Sequence, residues 1–291
     1  MAKRVLLTGG GGFSGSFYAE ELARAGYDLV VHAGRSRGRL PDDFEVRTGA
    51  TVLKGELDRL SVDGPLDAII HAGACSIAPG ISADDMIRAN VLGTRRVVET
   101  ARESGAKTVV YFSSLSVYGD LQGPVVNEET PFIRPDIYGA TKYLGELALA
   151  DAGEAFGSLS IRLPGVLGPG AVRNFLAGVK DKAVAGEPIR YFGADNPFNN
   201  AAHVADLAAF ALQLIEGGVD GHDAVVVGAR GETTVGQAVE TVVGVTGSQS
   251  AVEAGPAGDN PVFLIDDARA REIHGYDPMD ISDMISRFAG E

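Results

Sequence analysis

Tyr138-Gly139-Ala140-Thr141-Lys142 sets a phenol and an ammonium four residues apart. On a helix that spacing makes one face with neighbouring side chains. An ammonium beside a phenol favours the phenolate, so Lys142 is expected to lower the Tyr138 pKa. A tyrosine brought toward neutrality serves as a general acid or base. Upstream, Phe112-Ser113-Ser114-Leu115-Ser116-Val117-Tyr118-Gly119 ends an apolar run. A serine hydroxyl at a strand's C-terminal end faces the crevice where open α/β sheets bind ligands. Ser114 could donate to a substrate oxygen while Tyr138 handles its proton.

A second group of residues binds rather than reacts. Thr8-Gly9-Gly10-Gly11-Gly12-Phe13-Ser14-Gly15 follows the first apolar run and opens a helical pattern, with glycines 9, 12 and 15 in GxxGxxG spacing. Such a loop turns sharply, lets a pyrophosphate approach the backbone, and packs the helix close to the sheet. The helix start then offers free N–H groups and the positive end of its dipole. The expected ligand is a dinucleotide, and an oxidised nicotinamide would also favour the Tyr138 phenolate. The second strand ends His32-Ala33-Gly34-Arg35-Ser36-Arg37, with no acid to take a ribose 2′-hydroxyl. Arg35, helped by Ser36 and Arg37, could clamp a 2′-phosphate, which points to NADP with NAD as the alternative. Glu56-Leu57, after the third strand, could meet the adenine edge.

The elements that carry these groups alternate. Strands are expected at 5–7, 29–31, 52–53, 68–70, 109–112 and 159–163, with helices at 17–25 and 84–104. Continuously apolar strands between helices mean a parallel, doubly wound α/β sheet, a Rossmann-type fold. Later come helices at 174–185, 205–215 and 234–243, strands at 224–227 and 262–265, and a loop at 247–260. The expected division is a dinucleotide-binding domain, 1–165, with elements near 200–228 returning to it, and a smaller substrate-binding region, 166–291.

Composition bounds the partners. The net charge is −14 over 291 residues, so nucleic acid and anionic membranes are poor electrostatic partners and a small molecule is expected. Cys75 is the only cysteine, which rules out an intramolecular disulfide and a multi-cysteine metal site, and no metal is expected. Lys3-Arg4 runs into a short apolar stretch with no longer h-region, and no stretch of about 18 apolar residues occurs. The expected location is the cytoplasm.

Together these motifs resemble the extended short-chain dehydrogenase/reductases of the NAD-dependent epimerase/dehydratase family. The likeness runs through TGGGGFSG at 8–15, His71-Ala72-Gly73-Ala74, Asn90-Val91-Leu92-Gly93-Thr94, SSLSVYG at 113–119, YGATK at 138–142, Arg162 to Gly170, and His203-Val204-Ala205-Asp206-Leu207. It implies Ser114 as catalytic hydroxyl, Tyr138 as acid/base, and Lys142 as tuner of Tyr138 and ligand of the ribose. Gly9, Gly12, Phe13, Ser14, Gly15, Arg35, Glu56, Leu57 and Ala72 complete the cofactor set. Asn90 would be structural or water-positioning, and His71, His203 and Asp206 would brace the fold. The implied reaction is hydride transfer at a secondary alcohol or ketone, most readily of a nucleotide sugar, by an epimerase or reductase. Dehydratases carry an acidic pair after the catalytic hydroxyl, and Leu115-Ser116 stand there instead. A homodimer through 84–104 and 138–152 is also implied.

The likeness weakens where family members grip a diphosphate. Asn199 stands at one usual arginine position, and Ala257-Gly258-Asp259-Asn260-Pro261 contains no arginine at the other. Ser116, Asn174 and Asn199 remain the substrate-site candidates, with Arg173 and Arg190 as substitutes. The alternatives are a smaller keto or hydroxy compound, or a non-catalytic NADP-binding sensor.

Overall fold

The computed structural model describes residues 2–258 and 261–291. Seven strands form the central sheet: β1 (Arg4–Thr8), β2 (Asp28–His32), β3 (Thr51–Leu53), β4 (Ala68–His71), β5 (Thr108–Ser114), β6 (Gly157–Leu163) and β7 (His222–Val226). Their order is β7-β6-β5-β4-β1-β2-β3. The four pairs from β3 to β5 are parallel, with Leu7 opposite Val31 on one side and Ile70 on the other. Val5, Leu6, Leu7, Ile69, Val109 and Val110 are fully buried, which is why these strands read as unbroken apolar runs. The order turns back between β1 and β4, so Thr8 and His71 end side by side at the crevice.

Helix α1 (Phe13–Arg24) follows the glycine loop and starts four residues earlier than the pattern at 17–25 suggests. The segment read as one helix over 84–104 is interrupted. A short α turn (Ala83–Met86) leads into a π turn (Ile87–Leu92), then into α2 (Gly93–Ser104). Ser82 and Asp85 cap its start reciprocally, and Gly105 at φ 74° ends it. The extra residue in the π turn carries Asn90 inward, where it is 1% exposed. Helix α3 (Ile137–Ala150) is capped by Asp136, whose carboxylate accepts the Gly139 N–H at 2.7 Å.

The contacts divide the chain into two compact units. One comprises Met1–Asp120, Pro131–Arg162 and Ala208–Val225. The other comprises Leu121–Thr130, Leu163–Leu207 and Val226–Glu291. Leu121–Thr130 falls in the second unit because Val125–Val126 pairs in parallel with Leu264–Ile265. Two further differences from the sequence reading lie in that unit. Val252–Gly255, inside the expected loop, is a strand paired with Ile189–Phe192. Helices Ala268–His274 and Ile281–Gly290 fill a stretch left unassigned. Asp259 and Asn260 of the arginine-free loop lie outside the described residues.

Candidate active site

The glycine loop is shaped by close backbone approach. Gly9 has φ +78°, and a Cβ there would lie 2.6 Å from the Gly73 nitrogen. A Cβ on Gly15 would lie 2.0 Å from the Gly9 carbonyl, so α1 reaches the sheet only without one. Gly12 caps α1 with no side-chain bond, leaving Phe13, Ser14 and Gly15 at the helix start to offer their N–H groups. Beside the loop is a cavity of about 540 Å³, lined by Gly9, Gly12, Arg35, Glu56, Leu57 and Ala72 among others. A glycine cradle against a helix start, opening onto a cavity of this size, fits a dinucleotide. Phe13, Ser14, Gly15 and Lys142 are not in its lining.

Past β2, the three arginines have separate fates. Arg37 is bound to Glu45 at 2.6 Å and to the Pro41 carbonyl. Arg39 lies over the Phe13 ring at 5.5 Å. Arg35 stays 69% exposed, 3.6 Å from Glu56. A second recess of about 570 Å³ is lined by Arg35, Lys54, Glu56 and Arg59, a local surplus of positive charge on an acidic chain.

The structure brings Ser114, Ser116, Tyr138 and Lys142 together. Ser114 ends β5, and a 3-10 turn (Leu115–Tyr118) follows. Its Oγ accepts the Ser116 N–H and donates to Ser116 Oγ, both at 3.1 Å. The Tyr138 phenol lies near enough for the Ser114 hydroxyl to influence its ionisation. Two glycines of α3 permit this. A Cβ on Gly139 would lie 2.0 Å from the Ser116 carbonyl, and one on Gly145 would lie 2.4 Å from the Tyr111 hydroxyl. Lys142, one helical turn past Tyr138, is 2% exposed. Its ammonium sits over the Tyr111 ring at 4.2 Å, a cation–π contact.

Burial lowers Lys142 to a pKa of about 7, against the partial support of Glu146. Burial also raises the Tyr138 phenol, while the Ser114 hydroxyl pulls it down. The expectation that Lys142 pulls Tyr138 down is not met in the protein by itself: desolvation and the charge of Asp136 both push the phenol up, and Ser114 opposes them. A positive charge brought beside the phenol would act in the opposite sense.

Sequence reasoning missed the network beneath this site. Glu146, Arg162, Ser113 and Tyr118 are all nearly or fully buried. Arg162 Nη2 donates to Glu146 Oε2 at 2.8 Å and Nε to Oε1 at 3.1 Å. Ser113 donates to Glu146 at 2.5 Å, and Arg162 Nη1 donates to the Tyr118 hydroxyl at 2.8 Å. The available signal was a charged residue inside a strand, 159–163, otherwise free of charge, with an acid one turn beyond Lys142.

In the second unit the amide candidates are engaged. Asn174 caps the helix Phe175–Ala185, accepting from the Ala177 N–H and donating to the Val166 carbonyl. Asn199 donates to the Ile265 carbonyl at 2.9 Å and accepts its N–H at 2.8 Å. His203 accepts the Ala205 N–H and meets Glu291, and Asp206 accepts the Met279 N–H. Arg190 is paired with Glu253 at 3.8 Å. Arg173 holds a left-handed backbone, φ 63°.

Residues 5–228 match the NAD dependent epimerase/dehydratase family. A UDP-glucose 4-epimerase of Azospirillum brasilense is 29% identical over 304 residues, covering 94% of this chain and 87% of that one. The structure of MoeE5 in complex with UDP-glucuronic acid and NAD shares 26% identity at a TM-score of 0.80, covering 98% of this chain and 97% of that one. WbmH of Bordetella bronchiseptica, in complex with NAD+, has a TM-score of 0.84 at 22% identity, covering 99% and 97%, a likeness of fold. No described helix is long and apolar enough to cross a membrane.

Proposed function

The chain belongs to the NAD dependent epimerase/dehydratase family, and from that premise we propose that it is a nucleotide-sugar 4-epimerase, with a UDP-hexose as first candidate substrate. The observation that carries this is the close packing of the Ser114–Ser116 turn against the start of α3, which sets Ser114 near Tyr138 and beside buried Lys142. The loop residues Gly9 to Gly15, with Lys142 reaching the ribose, would hold the dinucleotide. When bound, its nicotinamide supplies the hydride acceptor and donor. Tyr138 takes the proton of the sugar hydroxyl as the ketone forms and returns it when the ketone is reduced on its other face. Ser114 donates to that oxygen as its charge changes. Incubation with UDP-galactose is expected to yield UDP-glucose; no conversion across UDP-hexoses would overturn the reading.

One observation favours the second reading, a smaller keto or hydroxy substrate. Both amide ends of Asn174 and Asn199 are bound to backbone, and no arginine stands at position 199. Calorimetric titration with UDP decides: micromolar affinity supports the nucleotide sugar, and absent binding supports the smaller compound.

For the cofactor we read NADP ahead of NAD. Arg35, Lys54 and Arg59 line the recess past β2, and Glu56 sets the limit on their attraction for phosphate. A charge-assisted bond is worth about 1.5–3 kcal/mol, so NADP should bind roughly tenfold or more tightly than NAD. Arg35→Ala should remove most of the difference. Equal dissociation constants in the wild type would refute it.

We also propose a homodimer. Ile87, Leu92, Leu144 and Leu147 are each more than 40% exposed on the 83–104 segment and α3. Light scattering should give twice the chain mass, and Leu144→Glu with Leu147→Glu should give one.

A further inference from the structure

His71 ends β4 fully buried, and the protons around it can be assigned one by one. The Gly73 N–H donates to Thr8 Oγ1 at 3.1 Å. Thr8 Oγ1 lies 2.7 Å from His71 Nδ1, and His71 Nε2 lies 2.9 Å from Thr94 Oγ1. The Thr94 hydroxyl donates to the Asn90 carbonyl at 2.6 Å. A hydroxyl has a single proton. Thr94 has committed its own to Asn90, so it accepts from His71, and Nε2 carries the ring proton. Burial holds the imidazole well below its ordinary pKa, so Nδ1 is bare and accepts from Thr8. The chain runs one way, from Gly73 through Thr8, His71 and Thr94 to Asn90.

It continues through the Asn90 side chain. Nδ2 donates to the Cys75 carbonyl at 2.9 Å and to Thr141 Oγ1 at 3.0 Å, and Oδ1 accepts the Cys75 N–H at 2.7 Å. Thr141 donates to the Tyr138 carbonyl at 2.8 Å. One end of the chain is the peptide against which Gly9 packs. The other is the backbone of the proposed acid/base. His71 also stacks on Tyr111 with ring centres 5.0 Å apart, and that ring carries the Lys142 ammonium.

We propose that His71, through Thr8 and Thr94, is a positioning residue that holds the dinucleotide loop and the Tyr138–Lys142 helix in one register. The proposal rests on the roles given above to Tyr138 and Lys142. His71, Thr8, Thr94, Asn90 and Thr141 are each at most 1% exposed, so losing one link leaves its neighbour unpaired and buried. Dinucleotide binding and the placement of the phenol are then one event.

Thr94→Val deletes the hydroxyl at nearly constant volume, and Thr94→Ser keeps it. With the holoenzyme and UDP-galactose, the valine variant should lose about tenfold or more in kcat, the scale of a small misplacement of catalytic groups. It should melt only a few degrees lower, and the serine variant should keep kcat within about threefold. Thr8→Val and Thr8→Ser repeat the comparison from the other end if Thr94→Val does not fold. Nitrogen NMR should show His71 protonated at Nε2 alone at neutral pH, burial holding the second proton off. Equal kcat in the valine and serine variants overturns the proposal, as does a ring protonated at Nδ1. A wild type inert toward UDP-galactose counts against the functional reading instead. NAD+ affinity then judges the chain: it should fall for the valine variant only, and an unchanged value overturns the inference.

Discussion

Helix α3 and its neighbours bury two cations, and the protein treats them in opposite ways. Arg162 receives both oxygens of Glu146 and the hydroxyl of Tyr118. Lys142 receives the face of an aromatic ring. A guanidinium with a carboxylate and full hydrogen bonding stays charged and serves as structure. An ammonium with a ring and only the partial support of Glu146 to offset its desolvation is brought to about 7, where its proton responds to a ligand. The difference teaches that burial alone does not mark a working residue; burial without a full counter-charge does.

The largest effect should come from breaking the structural site. Glu146→Gln leaves Arg162 buried without a counter-charge and should cost about 3–5 kcal/mol in urea unfolding. Replacing both by leucine should recover most of it, and a loss below about 1 kcal/mol for the single change would show the pair to be dispensable. Next is Tyr138→Phe, which keeps the ring and should lower turnover by about 10² or more with dinucleotide affinity intact. Near-normal turnover would remove Tyr138 from the chemistry.

The smallest effect sharpens the contrast in the direction of pH. Lys142 releases its proton near pH 7 when folded, against 10.5 ordinarily. Between those values the unfolded chain binds the extra proton, so stability should rise with pH there, and the full cost of the buried charge falls below about pH 7. Lys142→Met should therefore stabilise the protein by about 1 kcal/mol or more at pH 6, flatten that rise, and weaken dinucleotide binding. A variant less stable than wild type at pH 6 would mean that the ring contact compensates the charge.

What was legible from sequence was local. The glycine loop and the YxxxK spacing are set by backbone conformation within one or two turns, and the alternating apolar runs gave the doubly wound sheet. Glu146 and Arg162 lie 16 residues apart on different elements, and Asn199 meets Ile265 66 residues away, so no periodicity announces either. The π turn differs from an α-helix by a single residue, below what apolar spacing resolves. Helix Ile281–Gly290 was readable and passed over: Ile281, Met284, Ile285 and Phe288 recur at helical spacing and are all buried. The strand Val252–Gly255 was not, because its first three residues are exposed and it lacks an apolar face.

Strand β7 has a consequence for how the chain is made. It completes the sheet beside β6, yet 58 residues separate Leu163 from His222. At about 5–20 residues per second of synthesis, the edge of β6 waits roughly 3–12 s for its partner. During that interval a fully formed α3 would stand beside an open row of unpaired backbone groups, the kind of edge that recruits other chains. Nascent chains arrested on the ribosome before and after β7 emerges should differ in protease resistance and in chaperone capture, and equal behaviour would mean that the sheet closes without it.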